Sequence, residues 1–182
     1  RGIGEEIAIG YAKAGARVVG CSRKQKAVDQ VAEAIVQNGG QALAVAANIA
    51  EENDRENLIN KTMEWGGSID VLVNNAAVTV FGSIADVSYE DFKRCYTVDV
   101  DSIFLGCKTA LPLMSKTGGS IINLSSAAAI NASADMVAYN SAKAAIPMLT
   151  KSIALYCARE KNKVRVNAVL PGTIMTPNVR SV

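Results

Sequence analysis

Short, nearly unbroken apolar runs alternate with longer amphipathic stretches along the whole chain, and this alternation narrows the fold more than any other feature. Residues 17–21, 42–47, 69–73, 120–124 and 164–170 are such runs, rich in Val, Ile, Leu and Ala. They lack the polar alternation of a strand with one wet face, so they predict strands buried on both sides. The stretches between them carry apolar residues at helical spacing: Val28, Val31, Ala32 and Ile35 in 26–37, and Leu58, Ile59 and Met63 in 54–65. Further helices are predicted over 5–14, 88–114 and 136–159, with Ser88 as a cap and Gly15, Gly39-Gly40 and Gly66-Gly67 as stops. Glu5 and Glu6 suit the positive end of the first helix. Strand–helix alternation over 182 residues predicts one α/β domain, a doubly wound parallel sheet with helices on both faces.

Composition excludes several function classes. Hydrophobic residues make up 49% and aromatics 5%, so the core is aliphatic. A net charge of +2 without a basic run gives no nucleic-acid surface. No apolar stretch approaches the ~18 residues of a membrane span. Cys21, Cys95, Cys107 and Cys157 are scattered, which predicts buried small hydrophobes in a reducing, cytoplasmic compartment and no metal site.

The chain has no histidine, so any acid/base chemistry rests on other groups. Tyr139 and Lys143 stand at i and i+4 of a predicted helix, thirteen residues after Ser126. That spacing lets phenol and ammonium converge on one face, with the Ser126 hydroxyl arriving from the end of the preceding strand. Other polar signals also follow strand ends: Ser22-Arg23, Asn48, Asn74-Asn75, Ser125-Ser126 and Pro171-Gly172-Thr173. In open parallel sheets, ligands bind outside the carboxyl ends of the strands.

Gly2-Ile3-Gly4, Asn74-Asn75-Ala76-Ala77, Ser126, Tyr139-x-x-x-Lys143, and Arg165-Val166-Asn167 with Pro171-Gly172 occur in that order. In this the chain resembles the short-chain dehydrogenases/reductases of the classical type, over nearly its whole length. The resemblance implies a Rossmann-type sheet of order 3-2-1-4-5-6-7 and an oxidoreductase interconverting a ketone or aldehyde and an alcohol. Tyr139 would be the general acid/base and Ser126 would polarise the substrate oxygen. Lys143 would lower the phenol's pKa and hold the cofactor ribose. The family's Asn on the long helix aligns with Asp99, which is carried as a relay residue despite the changed side chain.

The resemblance also implies a dinucleotide site of Arg1, Gly2, Ile3, Gly4, Ser22, Arg23, Asn48, Ile49, Asn75, Ala76, Tyr139, Lys143, Pro171, Gly172, Ile174 and Thr176. A carboxylate at the end of the second strand would accept from an NAD ribose 2′-hydroxyl and repel the 2′-phosphate of NADP. Ser22 stands there, followed by Arg23 and Lys24, which predicts NADP(H) as preferred cofactor with NAD(H) as the alternative. Asn48 replaces the usual Asp, and its amide oxygen can still accept from the adenine amino group.

Both ends read as truncated, lacking the first strand and the C-terminal substrate lid, so the isolated segment is expected to be unstable. Val78, Val80, Ala129 and Ile130 suggest an apolar rim for a small-molecule substrate. The two long helices match those that make dimer contacts in the family, implying a homotetramer or homodimer. A non-catalytic redox sensor, and an epimerase or dehydratase on the same scaffold, are the competing functions.

Overall fold

The computed structural model describes residues 2–114 and 116–176. Helices and strands alternate in the predicted order: α1 (Ile3–Lys13), β1 (Arg17–Ser22), α2 (Gln25–Gln37), β2 (Gln41–Ala46), α3 (Glu52–Gly66), β3 (Val71–Asn74), α4 (Tyr89–Tyr96), α5 (Ser102–Met114), β4 (Gly119–Leu124), α6 (Val137–Glu160) and β5 (Val164–Val169). These elements form two compact units, residues 2–67 with 174–176, and residues 68–173.

In the first unit β1 and β2 pair in parallel, from Arg17 opposite Gln41 to Ser22 opposite Ala46. Helix α2 covers both strands and buries Val28 and Ile35, the stripe read from the 3.6-residue period. Gly20 of β1 makes room for that helix, because a Cβ there would sit 3.3 Å from Val28 Cγ2. Helix α1 begins at Ile3, earlier than expected, so Ile3 and Gly4 lie in its first turn and only Gly2 precedes it. Gly2 has φ +71, a conformation open to glycine at little cost.

In the second unit β3, β4 and β5 form a parallel sheet in that order, with Val71 opposite Ser120 and Gly119 opposite Val164. Each sheet reproduces part of the expected order, β1-β2 its 2-3 step and β3-β4-β5 its 4-5-6 run. The core is aliphatic, with Ile103, Ala110, Met114, Ile121 and Ile146 all buried. One polar ladder crosses it. Asn74 Nδ2 donates to Asn123 Oδ1 at 2.8 Å, and Asn123 Nδ2 donates to Thr150 Oγ1 at 3.0 Å. This satisfies a fully buried amide and ties β3, β4 and α6 together.

The helix expected over 88–114 is interrupted. A wide π-turn spans Thr97–Asp101 between α4 and α5, and the inserted turn carries the buried Asp99. The hydrophobic period on either side gives no signal of it.

The turn into β4 depends on Gly118, which has φ +85 and whose added Cβ would lie 2.9 Å from both the Lys163 Cβ and the Lys163 carbonyl oxygen. Gly118→Ala in the full-length protein is therefore expected to lose about 3 kcal/mol of stability, read from denaturant midpoints. No helix among the described residues is long and apolar enough to cross a membrane.

Candidate active site

Strand β4 ends at Leu124, and the next two residues anchor the site. Ser125 N–H donates to the Val169 carbonyl at 2.8 Å, and its hydroxyl donates to the Lys143 carbonyl at 2.7 Å. The strand end is thereby fastened to both β5 and α6. Ser126 is extended (φ −160) and its Oγ accepts from Ala128 N–H at 3.1 Å, opening a short turn at Ala127–Ala129. Its side chain also hydrogen-bonds the Tyr139 phenol.

Tyr139 and Lys143 lie one turn apart on α6, with Lys143 Nζ 5.6 Å from the centre of the Tyr139 ring. The expected convergence of Ser126, Tyr139 and Lys143 is therefore present. The ammonium is almost fully buried, at 2% exposure, and donates to the Leu124 carbonyl at 3.2 Å. It also stands 3.1 Å from Asp99 Oδ2, whose side chain is 0% exposed. That contact is an ion pair whose geometry falls short of a hydrogen bond at Oδ2. Asp99 Oδ1 accepts from Val78 N–H at 2.7 Å. One carboxylate thus braces the loop after β3, the π-turn and α6.

The electrostatics differ from the expectation that Lys143 lowers the phenol's pKa. Tyr139 titrates above the ordinary phenol range: burial is the largest cause, the Ser126 hydrogen bond opposes it, and the Asp99 charge raises it further. The pairing adds to burial, since a cation beside an anion acts on a third group as a weakened source. Asp99 itself is raised by burial, with Lys143 and the Val78 amide pulling the other way. Burial also pushes the neighbouring Cys95 thiol up to about 11.

Val80 and Val78, expected on an apolar rim, belong instead to a small core: Val80 is buried with Cys95, Ala138 and Ala142, and Val78 packs against them. Ile130 is exposed at 77%. Ser125 was singled out only with Ser126 as a polar pair after the strand, and the Leu124 carbonyl was not. Position beside Ser126 was the only available signal for Ser125.

In the first unit, Gly2, Ile3, Glu5, Glu6, Ile7, Ile174, Met175 and Thr176 line a cleft of about 520 Å³. A Cβ on Gly2 would approach Thr176 Cγ2 to 3.3 Å, so the glycine keeps the cleft open at the start of α1. Helix N-terminal amides without intrahelical partners favour an anion there. The cleft therefore fits the pyrophosphate of a dinucleotide, although Glu5 and Glu6 also border it.

Ser22 ends β1 and its Oγ accepts from Lys24 N–H at 3.3 Å, while Arg23 is exposed. Asn48 Oδ1 already accepts from Ala50 N–H at 3.3 Å, and the Ile49 carbonyl accepts from Arg55 Nη1 at 2.8 Å. In the second unit Asn75 is half-buried and Ala76 exposed, just past β3, and Pro171 accepts from Ala127 N–H at 2.8 Å. Gly172 is exposed beside it. Arg1 lies outside the described residues.

A family model described as short chain dehydrogenase matches residues 1–182. Among curated relatives, the uncharacterized oxidoreductase YxbG of Bacillus subtilis is 38% identical over 177 residues, covering 97% of this chain and 64% of that protein. The 7alpha-hydroxysteroid dehydrogenase of Escherichia coli is 38% identical over 182 residues, covering 100% of this chain and 70% of that protein. The chain thus spans about two thirds of the length of these relatives. A solved 7 alpha-hydroxysteroid dehydrogenase complexed with NADH and 7-oxo glycochenodeoxycholic acid matches with TM-score 0.95 and 37% identity, over 100% of this chain and 71% of that one. The fold is accordingly of the α/β Rossmann type.

Proposed function

Because this chain belongs to the short chain dehydrogenase family, we propose that its protein interconverts a ketone or aldehyde and an alcohol by hydride transfer, with NADP(H) preferred. The supporting observation is the cluster of Ser126, Tyr139 and Lys143, in which the phenol is hydrogen-bonded to Ser126 and stacked one helical turn from the buried ammonium.

Ser126 holds and polarises the substrate oxygen. Tyr139 gives its proton to that oxygen in reduction, and takes one from the alcohol in oxidation. With its pKa raised, the phenol stays protonated at neutral pH, which suits the reductive direction. Lys143 fixes the geometry beneath the ring and offers its remaining donor capacity to the ribose. A bound nicotinamide dinucleotide would supply or accept the hydride.

We assign residues 1–182 to an NAD(P)-binding Rossmann domain. Gly2, Ile3, Gly4, Ile174 and Thr176 would bear on the pyrophosphate and carboxamide, Ser22 and Arg23 with Arg1 on the 2′-phosphate, and Asn48 and Ile49 on the adenine. In the second unit Asn75, Ala76, Pro171 and Gly172, with Tyr139 and Lys143, would contact the nicotinamide half. The related dehydrogenase was solved with NADH, so preference rests on this chain's own Ser22-Arg23-Lys24. Arg23→Asp is expected to weaken NADP(H) binding by at least tenfold more than NAD(H) binding, measured by equilibrium titration. Equal losses for both dinucleotides would remove the assignment.

The partner is a small carbonyl or alcohol compound, in the cytoplasm. Phe104, Met148, Leu155 and Tyr156 are exposed on α5 and α6, which supports assembly into a homodimer or homotetramer through these helices. Following product beside dinucleotide absorbance separates this activity from an epimerase or dehydratase, which would leave bulk dinucleotide unchanged.

A further inference from the structure

We propose that Asp99 is a positioning residue that sets the pH range of the site, by engaging the Lys143 ammonium in a buried ion pair so that its charge is largely withheld from the Tyr139 phenolate. This rests on the reading of Tyr139 as the acid/base group. It goes beyond it in making residue 99 the determinant of when that group carries its proton.

The geometry is specific. Lys143 Nζ lies 3.1 Å from Asp99 Oδ2, while the Tyr139 ring centre lies 5.6 Å from the same nitrogen. The ammonium also donates to the Leu124 carbonyl, so it is held from two sides. Asp99 is fixed in turn by Val78 N–H at 2.7 Å and by the π-turn that carries it. Both charged side chains are out of water, where screening is weak and a single charge matters most.

Burial is the largest cause at Tyr139 and Cys95 adds to it after Asp99. From α4, Cys95 faces the pair with a thiol raised to about 11, hence neutral in the working range, and Arg94 is turned outward against Asp91 at 2.9 Å. From the π-turn, Asp101 is exposed. From β4 and the turn after it come only the neutral Asn123 and Ser126, and Arg165 of β5 is exposed. The direction at Tyr139, upward with burial first and Asp99 contributing, agrees with the geometry.

The consequence has a definite sign. A phenol with a raised pKa keeps its proton across neutral pH, as a weaker acid, and becomes a base only on the alkaline side. Reduction should therefore run at neutral pH while alcohol oxidation rises with pH well past neutrality. Replacing the carboxylate by an isosteric amide removes the anion and leaves the ammonium beside the phenol, so both limbs should move to lower pH.

The test is the titration of Tyr139 itself in the full-length protein before dinucleotide is added. Tyrosine labelled with ¹³C at Cζ is followed by NMR, and the Tyr139 resonance is identified by its loss in Tyr139→Phe. Asp99→Asn is expected to lower the midpoint by about one to two pH units, the scale of one charge at this range. An unchanged or raised midpoint overturns the proposal. Should Asp99→Asn fail to fold, Asp99→Ser, which removes the same charge, is titrated in its place and read by the same outcomes. Tyrosinate already dominant at about pH 10, the ordinary midpoint, in the wild-type protein also overturns the proposal. Because no turnover is involved, an intact shift with no catalysis would sink only the oxidoreductase reading. Normal catalysis with no shift would sink only the role of Asp99.

Discussion

Tyr139→Phe in the full-length protein is expected to reduce hydride transfer by about 10²–10⁴-fold, the range for loss of a positioned proton donor. Dinucleotide affinity should change little. The substitution keeps the ring, which packs against the buried Val80, Cys95, Ala138 and Ala142, so the helix face is preserved. What disappears is the hydroxyl, with its bond to Ser126 and its proton. Folding stability should change little, because the lost hydroxyl was itself desolvated and the half-buried Ser126 keeps its bond from Ala128 N–H. Steady-state rates and equilibrium dinucleotide binding measured on the same preparation check this. Turnover within a few-fold of wild type would mean that another group delivers the proton.

Lys143→Met should produce the largest loss of stability, about 3–5 kcal/mol at neutral pH. The lysine is 2% exposed and its partner Asp99 0%, so deleting the ammonium leaves a carboxylate in the core with the Val78 amide as its remaining donor. The loss should shrink on acidification. The abandoned carboxyl has a folded pKa above its unfolded value, so its protonated form is compatible with folding at low pH. Stability is then lost as pH rises through the folded pKa. Adding Asp99→Asn to Lys143→Met should recover most of the loss, since no buried charge then remains. Urea unfolding of the single and double variants at neutral and acidic pH reads all three statements. A loss below about 1 kcal/mol for Lys143→Met would show that the pair is hydrated and weak.

The fold was largely legible because its information is periodic. Val28 and Ile35 on α2, Val45 on β2, Ile121 and Leu124 on β4, and Val164 and Val166 on β5 reach the core. By contrast, β1 and β3 bury no residue fully and β5 alternates, so burial on both faces of every strand is not borne out. The site was legible where chemistry follows helical spacing, as with Tyr139 and Lys143 on α6, and where a hydroxyl follows a strand, as with Ser126. Asp99 could be aligned to a place near Lys143, but the burial and closeness of the pair could not be read. Its approach to Lys143 depends on a π-turn inserted in one helix, and on packing between residues 44 apart in sequence. The same limit hid the role of Ser125, whose bond to the Lys143 carbonyl is set by the approach of β4 to α6. Val80 was misplaced on a rim because a single Val in a loop carries no periodicity to show which way it faces. The net upward direction at the phenol stayed hidden for the same reason. Spacing shows that a lysine stands beside a tyrosine, but whether its charge acts there depends on what else the lysine touches.

Everything turns on one paired event in the full-length protein, the transfer of a hydride and a proton to a carbonyl carbon and its oxygen. Purified wild-type protein incubated with excess NADPH and a panel of ketones and aldehydes measures it directly, provided that dinucleotide and product are quantified together. The expected result is oxidation of many equivalents of NADPH per protein, matched one for one by alcohol. Tight binding of NADPH with no more than one equivalent consumed, across a panel that related reductases turn over, would contradict it and leave a dinucleotide sensor in its place.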